Sequence, residues 1–120
     1  MDVLIIESRK ALADLWSRHL DRMGAGVVCA TGEAEAVAHL ESEHFDVVIL
    51  DLVLEEGSAF AVADYVAYRD AATRIIFVTN TTFFSDGSIF SLFANACAYL
   101  PRATPPEDLS AMVEHYARPH

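Results

Sequence analysis

Short apolar runs alternate along the chain with longer stretches in which apolar residues recur every three or four positions, a strand–helix alternation repeated about five times. Val3 to Ile6 is a β-branched and leucine run, predicted as the first strand. From Arg9 to Met23, the residues Leu12, Leu15, Trp16, His19, Leu20 and Met23 follow helical spacing, with Gly24 and Gly26 expected to end the helix. Val27 to Ala30 predicts a second strand, and Ala34, Val37, Ala38 and Leu40 mark a second helix running to about Ser42. The stretch Asp46 to Leu50, closed by Asp51, reads as a near-continuous apolar strand, as expected of a central parallel strand covered on both faces. After a loop from Leu52 to Ser58, the residues Phe60, Ala63, Val66 and Ala67 trace a third helix, with Ser58 as its N-cap. Arg74 to Thr79 predicts a fourth strand, Asn80 to Asp86 a polar loop containing Phe83 and Phe84, Gly87 to Asn95 a fourth helix, and Ala98 to Pro101 a short fifth strand. Pro105 and Pro106 open the last helix, where Glu107 and Asp108 favour its dipole and Leu109, Met112, Val113 and Tyr116 form its buried stripe.

Alternation of this kind predicts an α/β fold: a doubly wound, five-stranded parallel sheet with helices on both faces. A length of 120 residues suits one domain spanning 1–120, and a hydrophobic fraction of 53% is ample for its core. Charge narrows the partners. Eighteen acidic residues against 8 basic ones give a formal net charge of -10, which argues against nucleic acid and anionic membranes as ligands. No apolar run approaches the roughly 20 residues of a membrane span. The N-terminus reads as a strand and not as a signal peptide, pointing to the cytoplasm. Cys29 and Cys97 lie in apolar segments without metal-ligand spacing, and both are expected to be buried small hydrophobes. His39 and His44 are out of helical phase for joint chelation and read as surface histidines.

Parallel sheets of this kind bind ligands at the carboxyl ends of their strands, near the switch in strand order. The residues just past those ends are Glu7 and Ser8, Asp51, Thr79 and Asn80, and Arg102. A carboxylate from Glu7, a hydroxyl from Thr79 and a guanidinium from Arg102 around Asp51 would suit phosphoryl transfer. Asp51 would be the nucleophile, and the cation would neutralise the transferred oxygens.

The run Asp46-Val47-Val48-Ile49-Leu50-Asp51-Leu52-Val53-Leu54 resembles the phosphoacceptor strand of response regulator receiver domains. Its spacing to Val3–Glu7, Ile75–Thr79 and Ala98–Arg102 is similar to that family over essentially the whole chain, a chemotaxis-regulator-like receiver of flavodoxin-like fold. The resemblance implies Asp51 as phosphoacceptor, Thr79 as switch hydroxyl and Tyr99 as switch aromatic. It places Arg102 where the family has lysine, and it implies a Mg2+ site made by Glu7, Asp51, the Val53 backbone carbonyl and Ser8. Ser8 replaces an acid, so Mg2+ binding should be weak. Arginine for lysine keeps the charge but spreads it over a planar fork. Glu55, Ala59 and Ala103 replace a proline, a glycine and a proline, and Asn80 stands where a small residue is usual. Glu55 and Glu56 would repel a phosphodonor if they pointed inward.

The partners implied are a sensor histidine kinase or phosphotransfer protein and a downstream protein target, reached through Gly87–Asn95, Ala98–Pro101 and Pro106–Ala117. The apolar excess of Phe83, Phe84, Ile89, Phe90, Leu92 and Phe93 predicts an exposed Phe84 or Phe90 and a homodimer contact over Phe83–Phe93. No enzyme activity is expected beyond self-phosphorylation and dephosphorylation at Asp51. Two readings stay open: a stand-alone receiver phosphorylated at Asp51, supported by Glu7 and Thr79, or a degenerate receiver that binds partners without phosphorylation, supported by Ser8, Arg102 and Glu55. A small α/β enzyme or a nucleotide or flavin binder is disfavoured, because Glu7-Ser8-Arg9-Lys10 is no glycine-rich phosphate loop.

Overall fold

The computed structural model describes residues 1–80 and 92–117. Five strands, β1 (Asp2–Ile6), β2 (Gly26–Ala30), β3 (Val47–Asp51), β4 (Arg74–Thr79) and β5 (Ala96–Pro101), form one parallel sheet in the order β2-β1-β3-β4-β5. The helices among the described residues are α1 (Lys10–Arg22), α2 (Glu33–Ser42), α3 (Ala59–Arg69) and α4 (Pro106–Ala117). Most of the expected helix Gly87–Asn95, and the expectations placed on Phe83, Phe84, Ile89 and Phe90, lie outside the described residues.

Strand alternation sorts the core into two layers. Leu4, Ile6, Val48, Leu50, Ile75 and Phe77 pack with α2 and α3 through Ala36, Leu40, Val62, Ala63 and Val66. Val3, Ile5, Val47, Ile49, Ile76 and Val78 pack on the other face with α1 and α4 through Trp16, Leu20, Leu109 and Val113. β3 is buried at all five positions because it is central and covered on both sides. The doubly wound architecture expected from the sequence is the one observed.

Several details differ from the sequence reading. Cys29 is exposed, because β2 is an edge strand whose pattern is only partly covered, and Cys97 is half-buried. Phe60 is 40% exposed, while Ala59, Val62, Ala63 and Val66 make the buried face of α3. Its ring lies outside that face and stacks on Phe93 at 5.5 Å. Gly24 alone provides the left-handed turn after α1, with φ of 90°, while Gly26 already begins β2. Ser58 caps α3 as expected, its Oγ accepting from Ala61 N–H at 3.3 Å.

Register carries the chemistry to one end of the sheet. Ile6 pairs with Leu50, Asp51 with Val78, and Thr79 with Pro101, so Glu7, Asp51, Thr79 and Arg102 all fall at the carboxyl edge. The switch in strand order lies between β1 and β3, beside Glu7 and Asp51.

Candidate functional site

Asp51 is the last residue of β3 and is fully buried. Its Oδ1 accepts the Val53 N–H at 2.8 Å, a side-chain turn two residues on that fixes the start of the following loop. Arg102, one residue past β5, closes over it. Its Nε donates to Asp51 Oδ2 at 2.6 Å and its Nη2 to Oδ1 at 2.8 Å, with only 9% of the arginine side chain exposed. This two-pronged, charge-assisted geometry is open to a guanidinium and not to an ammonium. The arginine is anchored from behind, because its backbone N–H donates to Thr79 O at 3.0 Å.

Glu7 follows β1 and is 1% exposed. Its Oε1 accepts the Arg9 N–H at 3.0 Å. Its Oε2 is buried and, counted as a carboxylate oxygen, has no donor. A proton on that oxygen makes it a donor toward Asp51 and removes the isolation. Burial first, then this contact and the negative charge of Asp51, push the Glu7 carboxyl up to about 8. Asp51 moves the other way. Burial opposes its ionisation, but the Arg102 hydrogen bonds, with those from Glu7 and the Val53 N–H, outweigh it and hold the carboxyl below its usual range. The two buried acids thus divide into one neutral and one charged group, with Arg102 as the counterion.

Ser8 does not turn toward this pair. Its hydroxyl donates to Thr31 O at 2.8 Å and accepts the Glu55 N–H at 2.9 Å, tying the β1 end to the two neighbouring loops. The acidic residues flanking it brace those loops. Glu33 Oε1 accepts the Ser58 N–H at 2.7 Å, Glu56 Oε2 accepts the Ala34 N–H at 3.2 Å, and Glu33 N–H donates to Glu56 O at 3.1 Å. Gly57 passes Glu33 with φ of 82°, a backbone conformation and a closeness that a Cβ would not tolerate. Glu55 and Glu56 are exposed. Sequence reasoning missed this bracing, since only the folded loops bring 33–34 against 56–58.

Thr79 ends β4 and is buried, linked to Arg102 through its carbonyl. Tyr99 is half-buried and packs against the layer that contains Phe77 and Phe93. Val53 reaches Asp51 through its N–H. A cleft of about 490 Å³ beside Arg102 is lined by Arg9, Ala11, Leu12, Leu15, Asn80 and Ala103 as well. Glu7, Asp51 and Arg102 therefore meet directly, Thr79 touches the group through its backbone, and Ser8 is directed elsewhere.

The chain matches the response regulator receiver domain family over residues 3–114. It belongs to that family. Among solved structures, this receiver is similar to a CheY-like response regulator receiver domain protein from Methanospirillum hungatei JF-1, with 25% identity, a TM-score of 0.87, and cover of 97% of this chain and 92% of that one. The non-phosphorylated HemR receiver domain from Leptospira biflexa gives 21% identity and a TM-score of 0.86, with cover of 99% and 98%. A response regulator from Burkholderia pseudomallei, solved with a phosphorylated aspartic acid, calcium ion and citrate, gives 21% identity and a TM-score of 0.80 over 95% of this chain and 71% of that one.

Receiver domains typically bind Mg2+ at an acidic pocket. Mg2+ demands hard oxygen ligands in near-octahedral array. The donors here do not fit that demand: Ser8 Oγ is engaged by both loops and both Asp51 oxygens face Arg102, which leaves Glu7 Oε2 and the Val53 backbone carbonyl of the expected set. No helix among the described residues is long and apolar enough to cross a membrane.

Proposed function

We propose that this receiver accepts a phosphoryl group on Asp51 and signals by protein–protein contact, with Arg102 as the gate of the acceptor. The observation that carries the reading is the buried Asp51 carboxylate at the carboxyl end of the central strand, held there by the Arg102 guanidinium. In the reaction, one Asp51 oxygen attacks phosphorus and forms an acyl phosphate. The bond from phosphorus to the donor's nitrogen or oxygen breaks, and that leaving atom keeps the electron pair. The guanidinium fork moves from the carboxylate to the phosphoryl oxygens, so the charge it neutralises is transferred with the group. Thr79 and Tyr99, on adjacent strands, are the residues through which such a shift reaches the surface. The phosphorylated aspartic acid of the similar Burkholderia regulator supports the same chemistry.

The donor would be a sensor histidine kinase or phosphotransfer protein, and the output a downstream protein target in the cytoplasm. A second reading, a receiver that binds partners without phosphorylation, is favoured by the engagement of both Asp51 oxygens. Acetyl phosphate labelling of the native chain and of Asp51→Asn separates the two. Label on the native chain alone supports the acceptor, and absence of label from both supports the binding module. Of the proposed homodimer contact over Phe83–Phe93 the described residues are Leu92, which is 62% exposed and open to a partner, and Phe93, which is buried in the core.

A further inference from the structure

We infer that Arg102 is this site's own cation, and that the acceptor works without Mg2+. The inference deepens the proposed function and, for its labelling arm, rests on Asp51 being the acceptor. Three relationships carry it.

The first is where positive charge already sits. The guanidinium contacts both Asp51 oxygens, at 2.6 and 2.8 Å, with 9% of its side chain exposed. A divalent ion ligated by Asp51 would have to displace this fork or lie against it, and like charges at that separation repel strongly in a buried site.

The second is the tally of free oxygens. Asp51 Oδ1 already accepts from Val53 N–H and Arg102, and Oδ2 accepts from Arg102. Ser8 Oγ is a donor to Thr31 O and an acceptor for Glu55 N–H, so a metal contact would break a link between three loops. Of the expected ligand set this leaves the Val53 backbone carbonyl and Glu7 Oε2, which, as a carboxylate oxygen, is the one buried side-chain oxygen without a partner among the described residues. Mg2+ keeps several of its waters but is held through one or two carboxylates, and the Asp51 carboxylate is already taken by Arg102.

The third is anchoring. Arg102 N–H donates to Thr79 O at 3.0 Å, directly after β5, so the cation is held by the sheet and only the end of its side chain needs to move. A fork of N–H donors can then follow the oxygens of a phosphoryl group, a role that elsewhere needs a metal.

Two measurements test this on the full chain. In the first, Mg2+, and Mn2+ as a paramagnetic probe, are titrated while the amide resonances of Glu7, Asp51 and Val53 are followed, in the native chain and in the double variant Ser8→Asp/Arg102→Lys. The expected result is no saturable change in the native chain and saturable binding in the double variant, with a dispersed spectrum showing that the variant is folded. Binding by the native chain as tight as that of the variant overturns the inference, and so does a folded variant that also fails to bind, since the donor set would then not be the determinant. In the second, acetyl phosphate labelling is compared in Mg2+ and in chelator. Equal rates support the inference, and a loss on the order of tenfold in chelator overturns it while leaving Asp51 as acceptor. No label in either buffer overturns the acceptor reading instead, and the titration alone then decides the cation.

Discussion

Arg102 grips both oxygens of Asp51, and the pair is almost wholly withdrawn from water. The consequence for stability is asymmetric. Removing one partner of a buried pair leaves the other charge uncompensated, which costs about 3–5 kcal/mol. Arg102→Ala should therefore destabilise the domain by about that amount in urea unfolding. Arg102→Lys keeps the charge but not the fork, and its loss should fall well below that of alanine. Equal losses for the two variants would show that the fork and packing of the arginine, and not its charge, matter here.

The pH dependence of stability follows from the two acids. Glu7 is raised from 4.5 to about 8, so its favourable contribution is complete below 4.5 and is lost as pH rises toward 8. Asp51 is lowered from 3.8, so its contribution is present above 3.8 and is lost only as pH falls through its still lower folded value. Glu7→Gln should leave the acid limb in place and abolish the decline between those values. At about pH 5 variant and native chain should melt close together, and at about pH 9 the variant should be the more stable. A native chain with flat stability across that interval would contradict the assignment of the proton to Glu7.

Ser8 is predicted to act on the loops. Ser8→Ala deprives the Glu55 N–H of its acceptor and Thr31 O of its donor, at a cost of about 1 kcal/mol for partly exposed groups. Amide exchange should quicken at Glu55 and its neighbours while the core strands keep their protection. Faster exchange confined to Asp51 and Val53 would instead place Ser8 in the acceptor site.

Most of the architecture was legible because it rests on periodicity. The apolar run Val47–Leu50 of β3, the α1 stripe around Trp16 and Leu20, and the Ser58 cap are local patterns, and each is found where expected. Cys29 was misread because nothing local says which strand will lie at a sheet edge. Phe60 was misread because the helical stripe allowed either side of Val62 and Ala63 to face the sheet. The cluster Glu7, Asp51 and Arg102 was foreseeable from strand ends and register. The bidentate grip, the isolated Glu7 Oε2 and the turn of Ser8 toward Thr31 and Glu55 were not. They depend on side-chain rotamers and on loops that meet only in three dimensions.

The most direct test is intact mass measurement after incubation with acetyl phosphate, on the native chain, Asp51→Asn and Arg102→Ala. The account predicts one added phosphoryl group on the native chain and none on Asp51→Asn. Arg102→Ala should leave the nucleophile uncovered but lose the cation that steadies the product, so any label on it should decay faster than on the native chain. Equal labelling of the native chain and Asp51→Asn, or a native chain that takes no label, would contradict Asp51 as the acceptor.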